Sequence, residues 1–186
     1  MGRLMVFNSI TLDGFYTGVE GDLSWAFKDR NDAEWSAFVA GNAKGEGILL
    51  FGRKTYEMMA SYWPTPYAER DFPEVARGMH RSQKIVFSRS LNDATWNNTR
   101  VVKGDIETEV RKLKSESEVG MVILGSGSIV AQLVGVIDEY QMVVTPVVLG
   151  KGKTMFEGIR EKIRLSLTKT RTFNNGNVLL CYERIP

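Results

Sequence analysis

The chain has 186 residues, with 24 lysines and arginines, 22 aspartates and glutamates and one histidine, for a formal charge of +2. This length is typical of one domain with one main core, and the near-neutral charge argues against a nucleic-acid partner. A single cysteine excludes an internal disulfide or a cysteine metal cage, and no apolar run approaches the ~20 residues that span a bilayer. We therefore expect a single cytoplasmic domain over residues 1–186, with no membrane association and no metal site.

Six short apolar runs in the first 150 residues are typical of buried strands. Pro146 lies near the end of the last run, which predicts an edge position or a bulge there. Residues 163–173 then alternate apolar and polar side chains, Asn175 and Gly176 supply turn chemistry, and residues 178–185 return, as in a β-hairpin. The six runs are residues 4–10, 47–52, 84–88, 101–102, 121–124 and 139–148.

Amphipathic stretches between these runs predict helices. The first helix follows a long Gly- and Asp-rich loop at residues 11–31, a kind of loop that is often functional, and Asn31 or Asp32 is suited to cap it. Pro64, Pro66 and Pro73 mark an irregular crossing. The predicted helices cover residues 32–43 and 54–61, a segment with Ile106, Val110 and Leu113 on one face, and residues 128–136. This order predicts an α/β fold: a mixed, mainly parallel central sheet with flanking helices and a C-terminal antiparallel hairpin.

Three strand ends carry small, hydroxyl and basic residues that core packing does not require. At the first, Gly52 precedes a predicted helix, whose N-terminal N–H groups bind phosphate readily. Gly52 lets a backbone approach closely, Arg53 and Lys54 add charge, and the Thr55 hydroxyl can donate to a phosphate oxygen. The alternative is a helix start with two solvated cations.

The second and third strand ends have the same character. Ser88 and Arg89 suit a phosphate monoester such as the 2′-phosphate of NADP, or they form a polar turn. The third end carries two glycines, which would let the backbone approach a pyrophosphate closely. The alternative is that the glycines allow close packing of a strand on a helix. It lacks the third glycine of the dinucleotide fingerprint. Its residues are Gly125, Ser126, Gly127, Ser128, Ile129 and Val130.

Other motifs are excluded. Gly152, Lys153 and Thr154 look like the end of a phosphate-binding loop, but Val147 stands where that loop needs a glycine. His80 has no second histidine or cysteine near it, so we expect a surface residue and no catalytic triad.

In this order the three sites resemble the dihydrofolate-reductase-like superfamily, and within it the bacterial group related to the C-terminal reductase domain of riboflavin biosynthesis. The likeness covers nearly the whole chain. It rests on Thr11-Leu12-Asp13-Gly14, Gly52-Arg53-Lys54-Thr55-Tyr56-Glu57, Ser88-Arg89, Ile123-Leu124-Gly125-Ser126-Gly127, Asp138-Glu139-Tyr140, Pro146-Val147-Val148-Leu149-Gly150-Lys151-Gly152 and Phe156.

The resemblance implies an eight- or nine-stranded mixed sheet that binds NADPH along its strand ends. By this likeness residues 52–55 would hold the cofactor's phosphates and residues 88–89 the adenosine 2′-phosphate. Residues 125–130 would cradle the pyrophosphate and border the nicotinamide. The Gly125–Ser126 bond matches a cis Gly–Gly peptide of dihydrofolate reductase, and the sequence leaves its isomer open.

The substrate side of the resemblance is less complete. Asp32 and Glu34 lie near the position of the acidic residue that orients and protonates the pterin in dihydrofolate reductase, and Asp22 heads an Asp-Leu-Ser-Trp stretch like that enzyme's active-site loop. With Asp13 these are the candidate catalytic carboxylates, and for each the alternative is a helix cap or a solvated charge. Ser9 and Trp25 are expected to line the substrate slot.

The leading hypothesis is an NADPH-dependent reductase that transfers a hydride to a small pterin-like, pyrimidine-like or carbonyl substrate. Riboflavin-pathway reductases carry an acidic residue where this chain has Leu124, which argues against the same substrate. The alternative is a non-catalytic or regulatory nucleotide-binding module with the same fold, and a buried carboxylate in the slot would discriminate the two. By family likeness we expect a homodimer, with the apolar residues 143–149 as a candidate surface.

Overall fold

The computed structural model describes residues 1–26 and 31–185, and its centre is an eight-stranded mixed sheet. The strands of the molecule are β1 (Leu4–Thr11), β2 (Phe15–Thr17), β3 (Ile48–Gly52), β4 (Gln83–Phe87), β5 (Thr99–Val102), β6 (Met121–Leu124), β7 (Glu139–Thr145), β8 (Lys153–Thr154), β9 (Leu165–Thr172) and β10 (Val178–Arg184). In the central sheet they are ordered β5-β4-β3-β6-β1-β7-β10-β9. The pairs from β5 to β7 are parallel, whereas β10 runs antiparallel to β7 and β9. The predicted mixed sheet and C-terminal hairpin are thus confirmed.

Six helices connect or flank these strands in the described part of the chain. They are α1 (Ala33–Asn42), α2 (Arg53–Tyr62), α3 (Pro66–Asp71), α4 (Pro73–Arg81), α5 (Ile106–Glu116) and α6 (Gly127–Leu133). Asp32 caps α1, because its side chain accepts a hydrogen bond from the Trp35 N–H at 2.9 Å.

The prediction of an irregular crossing at the prolines is wrong. Pro66 and Pro73 are the first residues of α3 and α4. Proline suits this position, since its fixed φ fits a helix and its missing N–H would lack an intrahelical partner anyway. Each proline therefore begins a helix.

Helices cover both faces of the sheet because alternate strand residues point in opposite directions. On one face Leu4, Val6 and Ile123 pack with Ile129 and Leu133 of α6. On the other face, Leu49 and Phe51 of β3 pack with residues of α2 and α4. Nearer the hairpin, Trp35 and Phe38 of α1 pack around Phe173 and Val143. Full burial of each such side chain contributes ~1.5–3 kcal/mol.

The strand predicted at residues 139–148 is present, but the edge position or bulge predicted at Pro146 is wrong. β7 ends at Thr145, before Pro146, and is paired on both sides, by β1 and β10. Val143 is fully buried. Residues 143–145 therefore lie inside the sheet, whereas Val148 beyond them is exposed, and the dimer surface expected at residues 143–149 stays a prediction.

The long first loop is more ordered than predicted. Its described part contains β2, which pairs with β8, and two short 3-10 turns at Val19–Gly21 and Ser24–Ala26. Within the described residues, no helix is long and apolar enough to cross a membrane. The same residues hold no group of three or more His, Cys, Asp or Glu side chains that could bind a metal.

Candidate functional site

The three strand ends singled out in the sequence lie side by side at the carboxyl edge of the sheet. Gly52 at the end of β3 is in register with Phe87 at the end of β4, and Leu50 is in register with Ile123 of β6. The segments 52–55, 88–89 and 125–127 therefore follow neighbouring parallel strands. This edge is the usual ligand site of open α/β sheets.

Ser126 joins two of these segments. Its hydroxyl oxygen accepts a hydrogen bond from the Gly52 N–H at 2.9 Å and donates one to Thr55 Oγ1 at 2.9 Å. Ser126 is buried and adopts a left-handed backbone conformation, with φ of 60°. The predicted cofactor residue Ser126 is thus engaged within the protein, and its bonds fix the distance between the loops after β3 and β6.

Gly125 has no room for a side chain. Its φ is +59°, and a Cβ there would lie 2.9 Å from Thr55 Cγ2. A Cβ on Gly127 would lie 3.3 Å from the Tyr16 hydroxyl. The described backbone contains no cis peptide, so the Gly125–Ser126 bond is trans. The two glycines allow the loop after β6 to lie close against α2 and β2.

The predicted phosphate-binding cations are exposed at this edge. Arg53 lies 3.9 Å from Glu57 on the next turn of α2, a weak ion pair between half-exposed groups. No side chain caps α2, which begins after Gly52. Arg89 is exposed, and within the described residues it forms no ion pair. The Ser88 hydroxyl accepts hydrogen bonds from the N–H groups of the turn that follows it, those of Ser90 and Leu91.

The remaining residues of the third segment divide between surface and core. Ser128 is exposed, whereas Ile129 and Val130 are buried in the main core beneath α6. Only the backbone of Ile129 and Val130 could therefore meet a ligand.

A central trough of about 620 Å³ opens beside these loops. Its floor is the face of the sheet formed by Met5, Phe7 and Ser9 of β1 together with Leu49, Val122 and Leu124 of β3 and β6. Met58 and Met59 of α2 line one wall, together with Trp63 directly after this helix. Pockets of this size with a mostly apolar lining are typical of small-molecule sites.

The trough contains both predicted substrate residues and several of the predicted cofactor residues. Ser9 and Trp25 line it together with Lys54, Thr55 and Gly125. The Trp25 indole N–H is buried and has no hydrogen-bond partner within the described residues. A buried indole usually finds a partner, so this N–H is a candidate donor to a bound ligand.

Two of the four candidate carboxylates belong to loops near the site. Asp13 accepts hydrogen bonds from the Thr11 hydroxyl at 2.6 Å and the Gly150 N–H at 2.7 Å. Asp22 accepts one from the Ser24 N–H at 2.9 Å. The hydrogen bond from Thr11 does most to lower the pKa of Asp13, and the backbone bond from Ser24 does most to lower that of Asp22.

The other two carboxylates hold α1 against the C-terminal hairpin. Asp32 caps α1 and accepts a hydrogen bond from the Asn175 side chain at 2.7 Å. Glu34 accepts hydrogen bonds from the Asn174 N–H at 3.0 Å and from Arg171 at 3.2 Å, and the pKa of Glu34 is lowered, mainly by the bond from Asn174. None of the four candidates lines the trough. Among its described lining residues the one carboxylate is Glu46, which is exposed.

Several trough residues were not singled out from the sequence. Tyr16 and Lys153 lie on the small β2–β8 sheet, and Gln141 lies on β7 opposite Phe7 of β1. Gln141 had a detectable signal, because an amide inside an otherwise apolar run is unusual in a buried strand. Lys153 was considered only as part of a phosphate loop, and its place depends on pairing with a distant strand.

The sheet order, the glycine-lined carboxyl edge and the adjacent trough define an α/β protein of the dihydrofolate-reductase-like class. A dihydrofolate reductase from Enterococcus faecalis complexed with NADP(H) matches this structure with a TM-score of 0.63 and 18% identity, covering 100% of this chain and 98% of that one. A structure described as a riboflavin biosynthesis protein, from Shewanella sp. PV-4, matches with a TM-score of 0.75 and 18% identity, covering 99% of each chain. At these identities the likeness shows a shared fold.

The sequence places the chain more narrowly. Residues 3–179 match the model of the RibD C-terminal domain, and the chain belongs to this family. The protein YyaP of Bacillus subtilis (strain 168) is 30% identical over 97% of this chain and 94% of its own length. The family resemblance drawn from the sequence is thereby confirmed.

Proposed function

We propose that the protein is a cytoplasmic, NADPH-dependent reductase that transfers a hydride to a small pterin-like, pyrimidine-like or carbonyl substrate. The observation that carries the proposal is that three loops with glycine, hydroxyl or cationic residues follow neighbouring strands at one edge of the sheet, and that two of these loops line a 620 Å³ trough. The fold it shares with an NADP(H)-bound dihydrofolate reductase supports the same assignment.

The residues of this edge fit a dinucleotide phosphate. Arg53 and Lys54 offer charge at the start of α2, and Gly125 leaves space where any Cβ would collide with Thr55. Arg89, exposed after the neighbouring strand, would meet the 2′-phosphate. When bound, NADPH supplies the hydride. Ser9 and Trp25 would orient the substrate in the trough, and the apolar side chains around them would exclude water.

None of the candidate carboxylates lines the trough, so none is in place there to supply the proton that accompanies the hydride. Lowered pKa values leave Asp13, Asp22 and Glu34 ionised at neutral pH, which opposes a role as general acid. Asp22 is the candidate nearest the trough along the chain, since Leu23 and Trp25 line it. We keep Asp22 as the carboxylate to test and assign Asp13, Asp32 and Glu34 hydrogen-bonding roles.

The first test is thermal unfolding with NADPH, NADH or neither. At 100 times its dissociation constant a ligand stabilises by ~2.7 kcal/mol, and in a domain of this size each kcal/mol raises Tm by roughly 2–4 °C. We expect a clear shift with NADPH and a smaller one with NADH. The absence of a shift with either cofactor would contradict the proposal.

Charge-removing variants sharpen this test. Arg89→Ala is expected to weaken NADPH binding by about 10-fold or more, because a charged hydrogen bond contributes ~1.5–3 kcal/mol, while leaving NADH binding unchanged. Arg53→Ala should weaken both. Arg111→Ala is the control, because Arg111 lies on α5 in a separate pocket with Arg3 and pairs with Glu107. Unchanged NADPH affinity in the Arg53→Ala/Arg89→Ala double variant would overturn the assigned phosphate site.

The second candidate function is a nucleotide-binding module without turnover. It is favoured by one observation, that the described lining of the trough holds no buried carboxylate. A panel of dihydropterins, aminopyrimidines and aldehydes, followed by NADPH absorbance, separates the two functions. Binding of NADPH without oxidation by any member of the panel would favour the module.

We also propose a homodimer, for which the outer edge of the sheet is a second candidate surface. The outer strand β9 is exposed along its whole length and leaves one edge of the sheet unpaired, with Leu165 and Leu167 at the surface. Unpaired edges of this kind invite pairing with another chain. Light scattering should give a dimer mass for the wild type and a monomer mass for Leu167→Lys, and a monomeric wild type would contradict the proposal.

A further inference from the structure

We infer that Ser126 is a positioning residue that makes the Thr55 hydroxyl a dedicated hydrogen-bond donor to the ligand in the trough. The recipient would be an oxygen acceptor of NADPH, a phosphate or carboxamide oxygen, and to that extent the inference rests on the proposed function. Ser126 itself would not touch the cofactor.

The geometry is a chain of two hydrogen bonds that ends at the trough. The Gly52 N–H lies 2.9 Å from Ser126 Oγ, which lies 2.9 Å from Thr55 Oγ1. Ser126 is 7% exposed and does not line the trough, whereas Thr55 is half-buried and does. The hydrogen bond between Gly52 and Ser126 is therefore buried inside the protein, whereas the Thr55 hydroxyl at the other end of the series faces the ligand site.

The direction of the first hydrogen bond follows from its donor, and the direction of the second follows from its geometry. A backbone N–H can only donate, so Ser126 Oγ is the acceptor from Gly52. The single Ser126 proton then goes to Thr55 Oγ1. Thr55 keeps its own proton, for which the described residues provide no acceptor within hydrogen-bond distance. Because successive hydrogen bonds polarise one another, Thr55 is a stronger donor toward the trough than an isolated hydroxyl.

The local backbone is built around this arrangement. Gly125 and Ser126 both have positive φ, 59° and 60°, and for a residue with a Cβ such a conformation costs about 1–2 kcal/mol. This conformation directs the Ser126 hydroxyl from the loop after β6 toward Gly52 and Thr55 after β3. A Cβ on Gly125 would lie 2.9 Å from Thr55 Cγ2, so the turn can approach Thr55 this closely because residue 125 is glycine. The hydrogen bond from Ser126 is then the contact that orients the Thr55 hydroxyl.

A double-mutant cycle on the NADPH dissociation constant, measured by fluorescence titration, tests the inference. Ser126→Ala should raise the dissociation constant by about 3- to 10-fold, the range of one net hydrogen bond. Ser126→Gly should do the same while relieving the strained backbone, so a folding defect in the alanine variant would not obscure the result. In a Thr55→Val background, Ser126→Ala should change affinity by less than about 2-fold, since the donor that Ser126 orients is already gone.

Two further measurements separate positioning from general structural support. Thr55→Ser keeps the donor and should retain most of the affinity. Hydrogen exchange of the Gly52 amide should be slow in the wild type and in Thr55→Val, and fast in Ser126→Ala. Ser115→Ala is the control for serine loss, because Ser115 is exposed and its hydroxyl bonds only a carbonyl of its own helix, that of Lys112.

The outcomes distinguish the inference from the proposed function. Equal losses from Ser126→Ala with and without the Thr55 hydroxyl would overturn the positioning role while NADPH binding by the wild type stands. A wild type that binds no NADPH would overturn the proposed function and, with it, the cofactor as recipient of the Thr55 proton. Fast exchange of the Gly52 amide in the wild type would overturn the hydrogen-bonded chain itself.

Discussion

The carboxylate of Asp13 accepts a hydrogen bond of 2.7 Å from the backbone N–H of Gly150 and thereby joins the loop after β1 to the loop after β7. The Leu149 N–H lies 3.1 Å from the same oxygen, and the Thr11 hydroxyl donates at 2.6 Å to the other. Since β1 and β7 are parallel neighbours, this carboxylate joins the two loops that follow them at the carboxyl edge of the sheet. A group committed to three donors is poorly suited to give a proton to a substrate.

Removal of this carboxylate should destabilise the fold in a pH-dependent way. The folded state lowers the pKa of Asp13, mainly through the Thr11 hydroxyl, so the stabilisation is present above the unfolded pKa and is lost as the pH falls through the folded one. Asp13→Ala should therefore reduce Tm by a few degrees near neutral pH, with a smaller reduction below about pH 4. Thermal unfolding at both pH values checks this, with exposed Asp93→Ala as control. A Tm difference independent of pH would show that the lost side chain matters through packing.

The Gly125→Ala variant should lose ligand binding more than stability. A Cβ there lies 2.9 Å from Thr55 Cγ2 and 3.2 Å from Thr55 Oγ1, so the added methyl group displaces the hydroxyl that faces the trough. We expect NADPH affinity to fall by at least about 10-fold, with a cost of ~1–2 kcal/mol for the left-handed backbone. Gly158→Ala, at a glycine with φ of +88° and open space around it, is the matched control. Unaltered affinity in Gly125→Ala would show that this loop does not approach the cofactor.

The sequence predicted the sheet and the carboxyl-edge loops because both depend on local signals. Short apolar runs predict strands, and glycine followed by basic and hydroxyl residues marks the start of a helix, as at Gly52. Parallel strands place such turns on the same edge, which brings Gly52 and Gly125 together. The helices at Pro66 and Pro73 were missed because proline has two opposite effects. It breaks a helix when it lies in the interior, but it is favoured as the first helical residue.

The trough itself could not be predicted residue by residue. Its lining depends on long-range pairings, such as Phe15 with Thr154, which brings Lys153 into place from the far end of the chain. Gln141 reaches the trough because β7 is an interior strand of the sheet. The sequence did not indicate this, because the nearby Pro146 predicted an edge position or a bulge. Local patterns carry no information on which distant strand will be the neighbour.

The Asp22→Asn variant should retain activity if the enzyme uses no carboxylate from this loop. Asp22 is exposed, and the Ser24 N–H holds its pKa low, so it is ionised at neutral pH and cannot donate a proton efficiently. We expect the rate of NADPH oxidation to stay within about 3-fold, with an unchanged acid limb of the pH profile. A loss of ~10²–10⁴-fold, the usual contribution of a general acid, would instead assign Asp22 as the proton donor. Asp93→Asn serves as the control substitution.

Lys84 provides a test of the fold that is independent of function. Its side chain is almost fully buried, donates to the carbonyl oxygens of His80 and Ser82 at 3.2 and 2.7 Å, and lies 4.5 Å from the centre of the Trp96 ring. The described residues place no carboxylate in an ion pair with it. Burial therefore lowers the pKa of Lys84 from 10.5 to about 8.

The resulting pH dependence has the same sign as that of Asp13, because both pKa values are lowered in the folded protein, but it falls in an alkaline range. Between about pH 8 and 10.5 the unfolded chain keeps the Lys84 proton while the folded protein releases it, so stability rises with pH over this range. Relative to Lys84→Met, the wild type should gain about 1–2 kcal/mol in the free energy of unfolding between about pH 7 and 9.5. Urea denaturation at both pH values measures this, and exposed Lys112→Met should show no such gain. An equal free energy difference at the two pH values would mean that the folded protein keeps the Lys84 ammonium charged, stabilised by the two carbonyls and the indole ring.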